Sequence, residues 1–145
     1  MIVLDTNVIS ELSTATPNHN VKTWFDRQDD ISLFLSTMTI AELRLGVELL
    51  PEGKKKQSLW GILEQTVIRP FAYRTLAFTS AVADFWPSLM AREQRRGNTL
   101  STADAIIAAT ALACGAKLAT RDSQLLKVKG LPTLNPWALE QDLAN

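Results

Sequence analysis

The chain has 145 residues, 46% of them hydrophobic and 21% charged, which is the composition of a globular domain with its own core. Fifteen basic and fifteen acidic side chains cancel, excluding a domain-wide attraction for nucleic acid, but not a phosphodiester substrate held through cations. One cysteine, Cys114, excludes an internal disulfide and a cysteine-based zinc site. With no signal-peptide pattern or membrane-length apolar run, we expect one cytoplasmic domain over residues 1–145 that does not enter a membrane.

Short apolar runs alternate with helical patterns along the chain. The first run, 2–4, is unbroken and rich in β-branched residues, which is typical of a central strand covered on both faces. Further strands are predicted at 33–35, 75–78, 117–120 and 131–134. Because strands and helices alternate, the sequence predicts an α/β fold with a mainly parallel sheet.

The helical segments carry recognisable boundaries. After the second strand, Thr39 is predicted to open a helix that ends before Pro51. Pro87 lies inside a long helix predicted over 79–96, where it should produce either a kink or a break between two helices. The run 103–114 is apolar nearly all round, which predicts a buried helix with Cys114 in the core and a C-terminal cap at Gly115.

Four acidic residues stand where these elements meet. Asp5 and Asp122 follow predicted strands, whereas Glu42 and Asp104 lie near the starts of helices. Connections after parallel strands emerge at one edge of the sheet, so we expect Asp5, Glu42 and Asp122 to meet there. Asp104 joins them if its helix runs antiparallel to the strand that follows it, as a crossover helix does. Clustered carboxylates repel and raise one another's pKa values, and a divalent cation removes that conflict. The pattern predicts an open Mg²⁺ or Mn²⁺ site that accepts a phosphate.

Each of these acids also has a structural interpretation. Glu42 and Asp104 each stand three positions after a Thr or Ser, which matches a capping box or its looser form. Asp5 could close a turn with its own side chain, and Asp122 could cap a short helix beginning near 123. Glu11 is either a peripheral ligand or a surface charge.

The remaining chemistry-bearing residues offer fewer possibilities. His19, the single histidine, lies in a polar stretch where we expect a surface loop, which argues against a metal-free nuclease built on a histidine acid–base pair. Basic residues cluster at 54–56 and 92–96. These clusters are either solvated helix faces or contacts to a phosphate backbone.

Four ordered motifs occupy residues 2–7, 35–43, 104–109 and 118–122, and a closing Asn-Pro-Trp occupies 135–137. Together they resemble the PIN-domain ribonucleases, most closely the VapC toxins of the FitB-like branch. The resemblance implies a three-layer α/β/α fold around a parallel sheet of about five strands. It also implies an endoribonuclease in which metal-activated water cleaves RNA to leave 5′-phosphate and 3′-hydroxyl ends.

The resemblance also assigns site residues. It implies that an acidic quartet holds one or two Mg²⁺ or Mn²⁺ ions, although many FitB-like chains have Asn in place of the last acid. Arg121 either contacts phosphate or forms a surface ion pair. The implied ligands are Asp5, Glu42, Asp104 and Asp122, and the implied supporting polar residues are Thr6, Asn7 and Thr120.

Partners follow from the same resemblance. VapC-like toxins of type II systems pair with a DNA-binding VapB- or FitA-like antitoxin and form homodimers and larger toxin–antitoxin assemblies. The two helices predicted over 39–67 contain more apolar residues than one core face needs, including Leu45, Leu49 and Trp60. These residues form an antitoxin groove, part of the core or a homodimer seam. Two other functions stay open: a catalytically idle PIN module that acts as a co-repressor, and a haloacid-dehalogenase-like phosphatase suggested by residues 5–8.

Overall fold

A parallel five-stranded sheet, in the order β3-β2-β1-β4-β5, forms the centre of the computed structural model, which describes residues 1–138. The first strand of the chain is therefore the middle strand of the sheet, as its apolar run predicted. The single domain predicted over 1–145 includes residues 139–145, which lie outside the described part. The strands are β1 (Ile2–Leu4), β2 (Leu33–Ser36), β3 (Thr75–Leu76), β4 (Lys117–Ala119) and β5 (Thr133–Leu134).

Within residues 1–138, helices connect and cover these strands, and none is both long and apolar enough to span a bilayer. A π-helical turn, Glu64–Ile68, continues the fourth helix. Short 3₁₀ turns precede β2 at Asp30–Ser32 and β3 at Ala72–Arg74. The α-helices are α1 (Thr6–Leu12), α2 (His19–Asp26), α3 (Thr37–Glu48), α4 (Lys54–Leu63), α5 (Ser80–Arg95), α6 (Thr102–Ala113) and α7 (Ser123–Leu126).

The core is divided by the sheet into two apolar clusters. Successive residues of a strand face opposite sides of a sheet, and accordingly Val3 packs in one cluster and Leu4 in the other. Val3 meets buried residues of α5, α6 and α7, whereas Leu4 meets those of α1, α2, α3 and α4. The predicted three-layer α/β/α arrangement is confirmed.

The start of α3 differs from the prediction. The helix begins at Thr37, and the Ser36 hydroxyl oxygen caps it by accepting a hydrogen bond from the Thr39 N–H at 3.1 Å. The predicted start at Thr39, and with it the capping box that would end at Glu42, is wrong. Ser36 at the end of β2 supplies the capping oxygen three residues earlier, so Glu42 falls in the second helical turn and its carboxylate is available for other contacts.

In the second half of the chain, one of the two alternatives at Pro87 is removed and the prediction for Cys114 is wrong. Helix α5 runs through Pro87 without a break, because Pro87 and Ala83 are exposed and water can serve the carbonyl that loses its intrahelical donor. Cys114 is exposed, not buried in the core. It is the C-cap residue of α6, beyond the last buried turn, and Gly115 follows with a φ of 63° as the predicted helix end.

Candidate active site

The four predicted carboxylates line a single pocket of about 420 Å³. The pocket lies at the carboxyl edge of the sheet, where Asp5 follows β1 and the Asp5 N–H donates to the carbonyl of Ala119 at the end of β4 (2.9 Å). The topology therefore brings together acids that are up to 117 positions apart in the chain, Asp5 and Asp122. The residues that line this pocket include Asp5, Thr6, Asn7, Glu11, Glu42, Asp104, Arg121 and Asp122.

Asp5 is the most buried of these acids, with 4% of its surface exposed. Its Oδ1 accepts a hydrogen bond from the Thr6 N–H (2.8 Å) and its Oδ2 accepts one from the Thr120 hydroxyl (2.7 Å). Burial is the main reason why the pKa of Asp5 rises from 3.8 to about 6, and the charges of Asp104 and Glu42 raise it further against the two hydrogen bonds. Asp5 also has the local structural role that was expected, since its side chain caps α1. Capping does not remove the repulsion between Asp5 and the other acids.

Thr120 connects the ends of the chain at this edge. Its fully buried hydroxyl donates to Asp5 and accepts from the Asn7 side-chain amide (3.2 Å) and from the Asp122 N–H (3.0 Å). The Asn7 Oδ1 atom is buried and, within residues 1–138, has no hydrogen-bond partner. Thr120 and Asn7 therefore lie beside the carboxylates, where Asn7 keeps one acceptor unused, and the supporting role that the resemblance implied for them stays a prediction.

Glu42 is held by a residue of another helix. The Thr6 hydroxyl donates to Glu42 Oε1 at 2.7 Å and lies 3.2 Å from the Thr39 hydroxyl. The side chain therefore reaches across to α1 instead of back to its own helix end. This contact gives Glu42 a fixed place in the pocket wall.

The last two acids sit at helix starts. The Asp104 N–H donates to the Ser101 hydroxyl oxygen (3.0 Å), and burial, followed by the charge of Asp122, raises the pKa of Asp104. Asp122 caps α7 as predicted, since its Oδ1 accepts from the N–H groups of Gln124 and Leu125. The structural and functional interpretations of Asp122 are compatible, because the cap uses one of its two oxygens.

The donor chemistry of the pocket fits a hard divalent cation. Burial, and after it the charges of neighbouring acids, raises the pKa values of Asp5 and Asp104, and the Oδ1 atom of Asn7 is an unused oxygen donor beside them. Among the described residues, no three His, Cys, Asp or Glu side chains form a ready-made metal cage. Mg²⁺ and Mn²⁺ keep several waters and need only one or two carboxylates directly, so an open arrangement of this kind suits them better than a closed structural site.

Other predicted site residues occupy the margins. Glu11 lines the pocket while its Oε1 accepts from the Asn18 N–H (2.8 Å), so it also supports the loop before α2. His19 is exposed, but it lies in the first turn of α2 and not in a loop, because Asn18 caps that helix. The exposed Arg121 places its guanidinium over the ring of Trp137, 4.7 Å from the centroid. The sequence did not predict this contact between Arg121 and Trp137. The Asn-Pro-Trp motif was the one feature that could have pointed to it.

Comparison with known proteins agrees with this architecture. A family model described as the PIN domain matches residues 2–131. The VapC ribonuclease Y4jK of Sinorhizobium fredii is 43% identical over 94% of this chain and 98% of its own length. The toxin FitB of Neisseria gonorrhoeae is 42% identical over 94% and 99%. The solved structure of FitAB bound to an IR36 DNA fragment is 40% identical, with a TM-score of 0.88 over 94% of this chain and 96% of that one.

The chain therefore belongs to the PIN-domain family, whose ribonuclease members support a nuclease activity. Its similarity to a VapC ribonuclease and to FitB confirms the predicted VapC, FitB-like branch. This membership replaces the phosphatase interpretation of residues 5–8. The individual roles assigned to the pocket residues stay predictions.

Proposed function

We propose that this protein is a divalent-metal-dependent endoribonuclease and the toxin of a type II, VapBC-like toxin–antitoxin pair. The proposal rests on four acids that line one pocket, Asp5, Glu42, Asp104 and Asp122. Among the described residues that line it, Arg121 is the single basic side chain. The resemblance to a VapC ribonuclease over nearly the whole chain supports the choice of RNA as substrate.

In this proposal Asp5, Glu42 and Asp104 are the principal ligands, and Asp122 binds a second ion directly or through water. A bound Mg²⁺ or Mn²⁺ supplies Lewis acidity toward the phosphate and favours ionisation of a water for in-line attack. Attack by water with cleavage of the P–O3′ bond, and a proton passed to the leaving 3′ oxygen, gives RNA with 5′-phosphate and 3′-hydroxyl ends.

The protein's own polar residues prepare the ligands. Thr120 and the Thr6 N–H hold both oxygens of Asp5, and the Thr6 hydroxyl holds one oxygen of Glu42. Each carboxylate is therefore oriented before a cation or substrate arrives, so little side-chain freedom is lost on binding.

Purified protein incubated with RNA tests the activity. We expect cleavage with Mg²⁺ or Mn²⁺, none in EDTA, and 5′-phosphate ends on the products. Asp104→Asn should abolish cleavage, whereas Asp84→Asn, an exposed acid on α5, should leave it unchanged as the matched control. If no metal supports cleavage while the antitoxin complex still binds DNA, the protein is the idle co-repressor module instead.

The proposed antitoxin site lies on the helices after β2. A pocket of about 260 Å³ is lined by Leu43 and Val47 of α3 and by Leu59 and Ile62 of α4, among others. On another face of α3, Leu45 and Leu49 are 55% and 76% exposed, so core packing does not explain them. Trp60, in contrast, is partly buried against the core. An amphipathic antitoxin helix is the occupant we propose for this groove, by analogy with a relative whose solved structure is an FitAB complex.

A charge placed in the groove tests this docking. Ile62→Lys, which changes a lining residue that is 51% exposed, should weaken binding of the antitoxin by at least about tenfold, since a buried lysine would lose its hydration. Ile31→Lys, which is 82% exposed elsewhere on the surface, is the matched control and should bind normally. Equal binding by both variants, measured by calorimetry with the antitoxin, would remove the groove from the proposal.

A further inference from the structure

Trp137 lies against Arg121, which lines the carboxylate pocket. Its backbone N–H donates to Asn135 Oδ1 (3.0 Å), and its backbone carbonyl accepts from the Asn20 side-chain amide at the start of α2 (2.9 Å). Its ring packs against the apolar cluster that contains Leu4. The two hydrogen bonds hold the Trp137 backbone in place, and the contact with the apolar cluster supports its ring.

The Arg121 guanidinium lies over the Trp137 ring. Arg121 directly follows Thr120, whose hydroxyl holds Asp5, and its guanidinium carbon lies 4.7 Å from the centroid of the Trp137 ring. Among the described residues that line the pocket, Arg121 is the single basic one. Its neighbours in the pocket wall include Asp104 and Asp122, yet the guanidinium rests on the indole.

We infer that Trp137 is a positioning residue that holds the Arg121 guanidinium ready for an RNA phosphate flanking the one that is cleaved. The inference rests on the proposed ribonuclease function and names a substrate contact within it. It assigns the pocket two kinds of group, carboxylates for cations and one guanidinium for a phosphate. It also gives the Asn-Pro-Trp segment a role in binding.

The chemistry of stacking explains why such a support is useful. A guanidinium that lies over an aromatic ring uses its face, and its N–H groups stay available in the plane for the oxygens of a phosphate. A free arginine beside several carboxylates would instead turn toward them and cancel the charge that a cation needs. Stacking on Trp137 keeps the positive charge at the rim, and an arginine already held in place loses less freedom on binding.

Binding of RNA without cleavage tests the inference directly. The probe is a short fluorescein-labelled single-stranded RNA of mixed sequence, titrated in EDTA with full-length protein carrying Asp104→Asn, between about 50 and 200 mM salt. Arg121→Gln should weaken binding about fivefold near 100 mM salt and reduce the salt slope by about 0.7, the loss of one phosphate contact. Lys117→Gln, at the opposite end of β4, removes the same charge and should do neither.

The role of Trp137 is separated by a double-mutant cycle. Trp137→Leu should weaken binding about twofold to threefold when Arg121 is present and have no further effect in the Arg121→Gln protein, because the ring acts through the arginine. Trp137→Phe keeps an aromatic face and should restore binding, and melting temperatures show that each variant is folded. In metal-supported cleavage, the same changes should raise KM with kcat nearly unchanged.

Three results would overturn the inference. These are an unchanged salt slope for Arg121→Gln, an equal effect of Lys117→Gln, or an undiminished effect of Trp137→Leu when Arg121 is absent. The parent protein is also assayed for cleavage with Mn²⁺. If it binds RNA through Arg121 but cleaves nothing, the ribonuclease proposal fails while the contact stands.

Discussion

Two buried carboxylates in this protein have opposite electrostatic surroundings. Glu93 on α5 is fully buried, and its oxygens accept hydrogen bonds from Arg96 (2.7 Å to each), Arg92 (3.3 Å) and Asn98 (3.0 Å). Burial by itself would raise the pKa of Glu93, but these partners outweigh it and lower the value. Asp5 is nearly as buried, receives hydrogen bonds from threonines only, and has a pKa raised to about 6.

The difference separates a structural acid from a candidate functional one. Arg92 and Arg96 also donate to the carbonyls of Lys129 and Lys127, so the Glu93 cluster ties the end of α5 to the segment after α7. Asp5 instead faces further acids, an arrangement that costs free energy in the metal-free protein. Among the described residues, arginines pair with Glu93 and no cationic side chain pairs with Asp5, which is why Asp5 and not Glu93 is the metal ligand we propose.

The largest expected effect is on catalysis. Asp5→Asn should slow metal-dependent RNA cleavage by about a thousandfold, since a Lewis-acid metal contributes several kcal/mol to the transition state. Glu93→Gln should leave the rate within about twofold at a temperature where the protein is folded. Single-turnover cleavage rates measure both, and comparable losses in the two variants would erase the distinction between the two acids.

The free energy of unfolding, in contrast to the cleavage rate, should depend on Glu93. Glu93→Gln should lower the free energy of unfolding by about 2–4 kcal/mol, because several charge-assisted hydrogen bonds to a buried carboxylate are lost. Partial exposure of both arginines limits the loss, since they regain water. Urea denaturation measures the change, with Asp84→Asn on the same helix as the exposed control. A loss below about 0.5 kcal/mol would show that the cluster does not stabilise the fold.

The pH dependence of stability gives a third test. The pKa of Asp5 is about 6 in the folded protein against an ordinary value of 3.8, so the folded state binds more protons between these values. In the metal-free protein its contribution is therefore favourable below about pH 4 and is lost as pH rises through 6, at a cost of about 3 kcal/mol.

Asp5→Asn removes this dependence, because asparagine does not ionise. In EDTA the variant should be more stable than the parent protein by about 1–3 kcal/mol near neutral pH, with little difference near pH 4. Urea denaturation at several pH values measures this difference. A parent protein whose stability relative to Asp5→Asn rises with pH would mean that Asp5 is already balanced by a positive group.

The smallest effect is expected at Thr120. Thr120→Val removes the hydroxyl that lowers the pKa of Asp5, so that pKa should rise and the acidic limb of the cleavage profile should move to higher pH. The rate near neutral pH should fall about tenfold, the usual value of one hydrogen bond. Thr120→Ser keeps the hydroxyl and should keep both the rate and the profile. A profile that does not move in Thr120→Val would assign Thr120 to packing alone.

Tertiary structure decided what the charged clusters do. Arg92 and Arg96 belong to a basic run that sequence reasoning assigned to solvated faces or phosphate contacts, and they are partners of Glu93. Lys56, from the other run, is buried and donates to Glu48 and Glu52. The solvated-face interpretation is wrong for Lys56, which is buried, whereas Arg92 and Arg96 keep partial exposure while they pair with Glu93. Local charge did not predict these partners, because they depend on how the chain packs.

The sequence by itself determined the elements and the edge at which the acids meet. Strand β1 is readable from its apolar run, and Asp5 and Asp122 are placed by the ends of parallel strands, because both signals are local and depend on periodicity. The hydrogen bonds of Thr120 to Asp5 and Asn7, and the stacking of Arg121 on Trp137, needed the folded chain. Those contacts depend on the directions of side chains at the sheet edge, and these directions cannot be read from the order and types of residues alone.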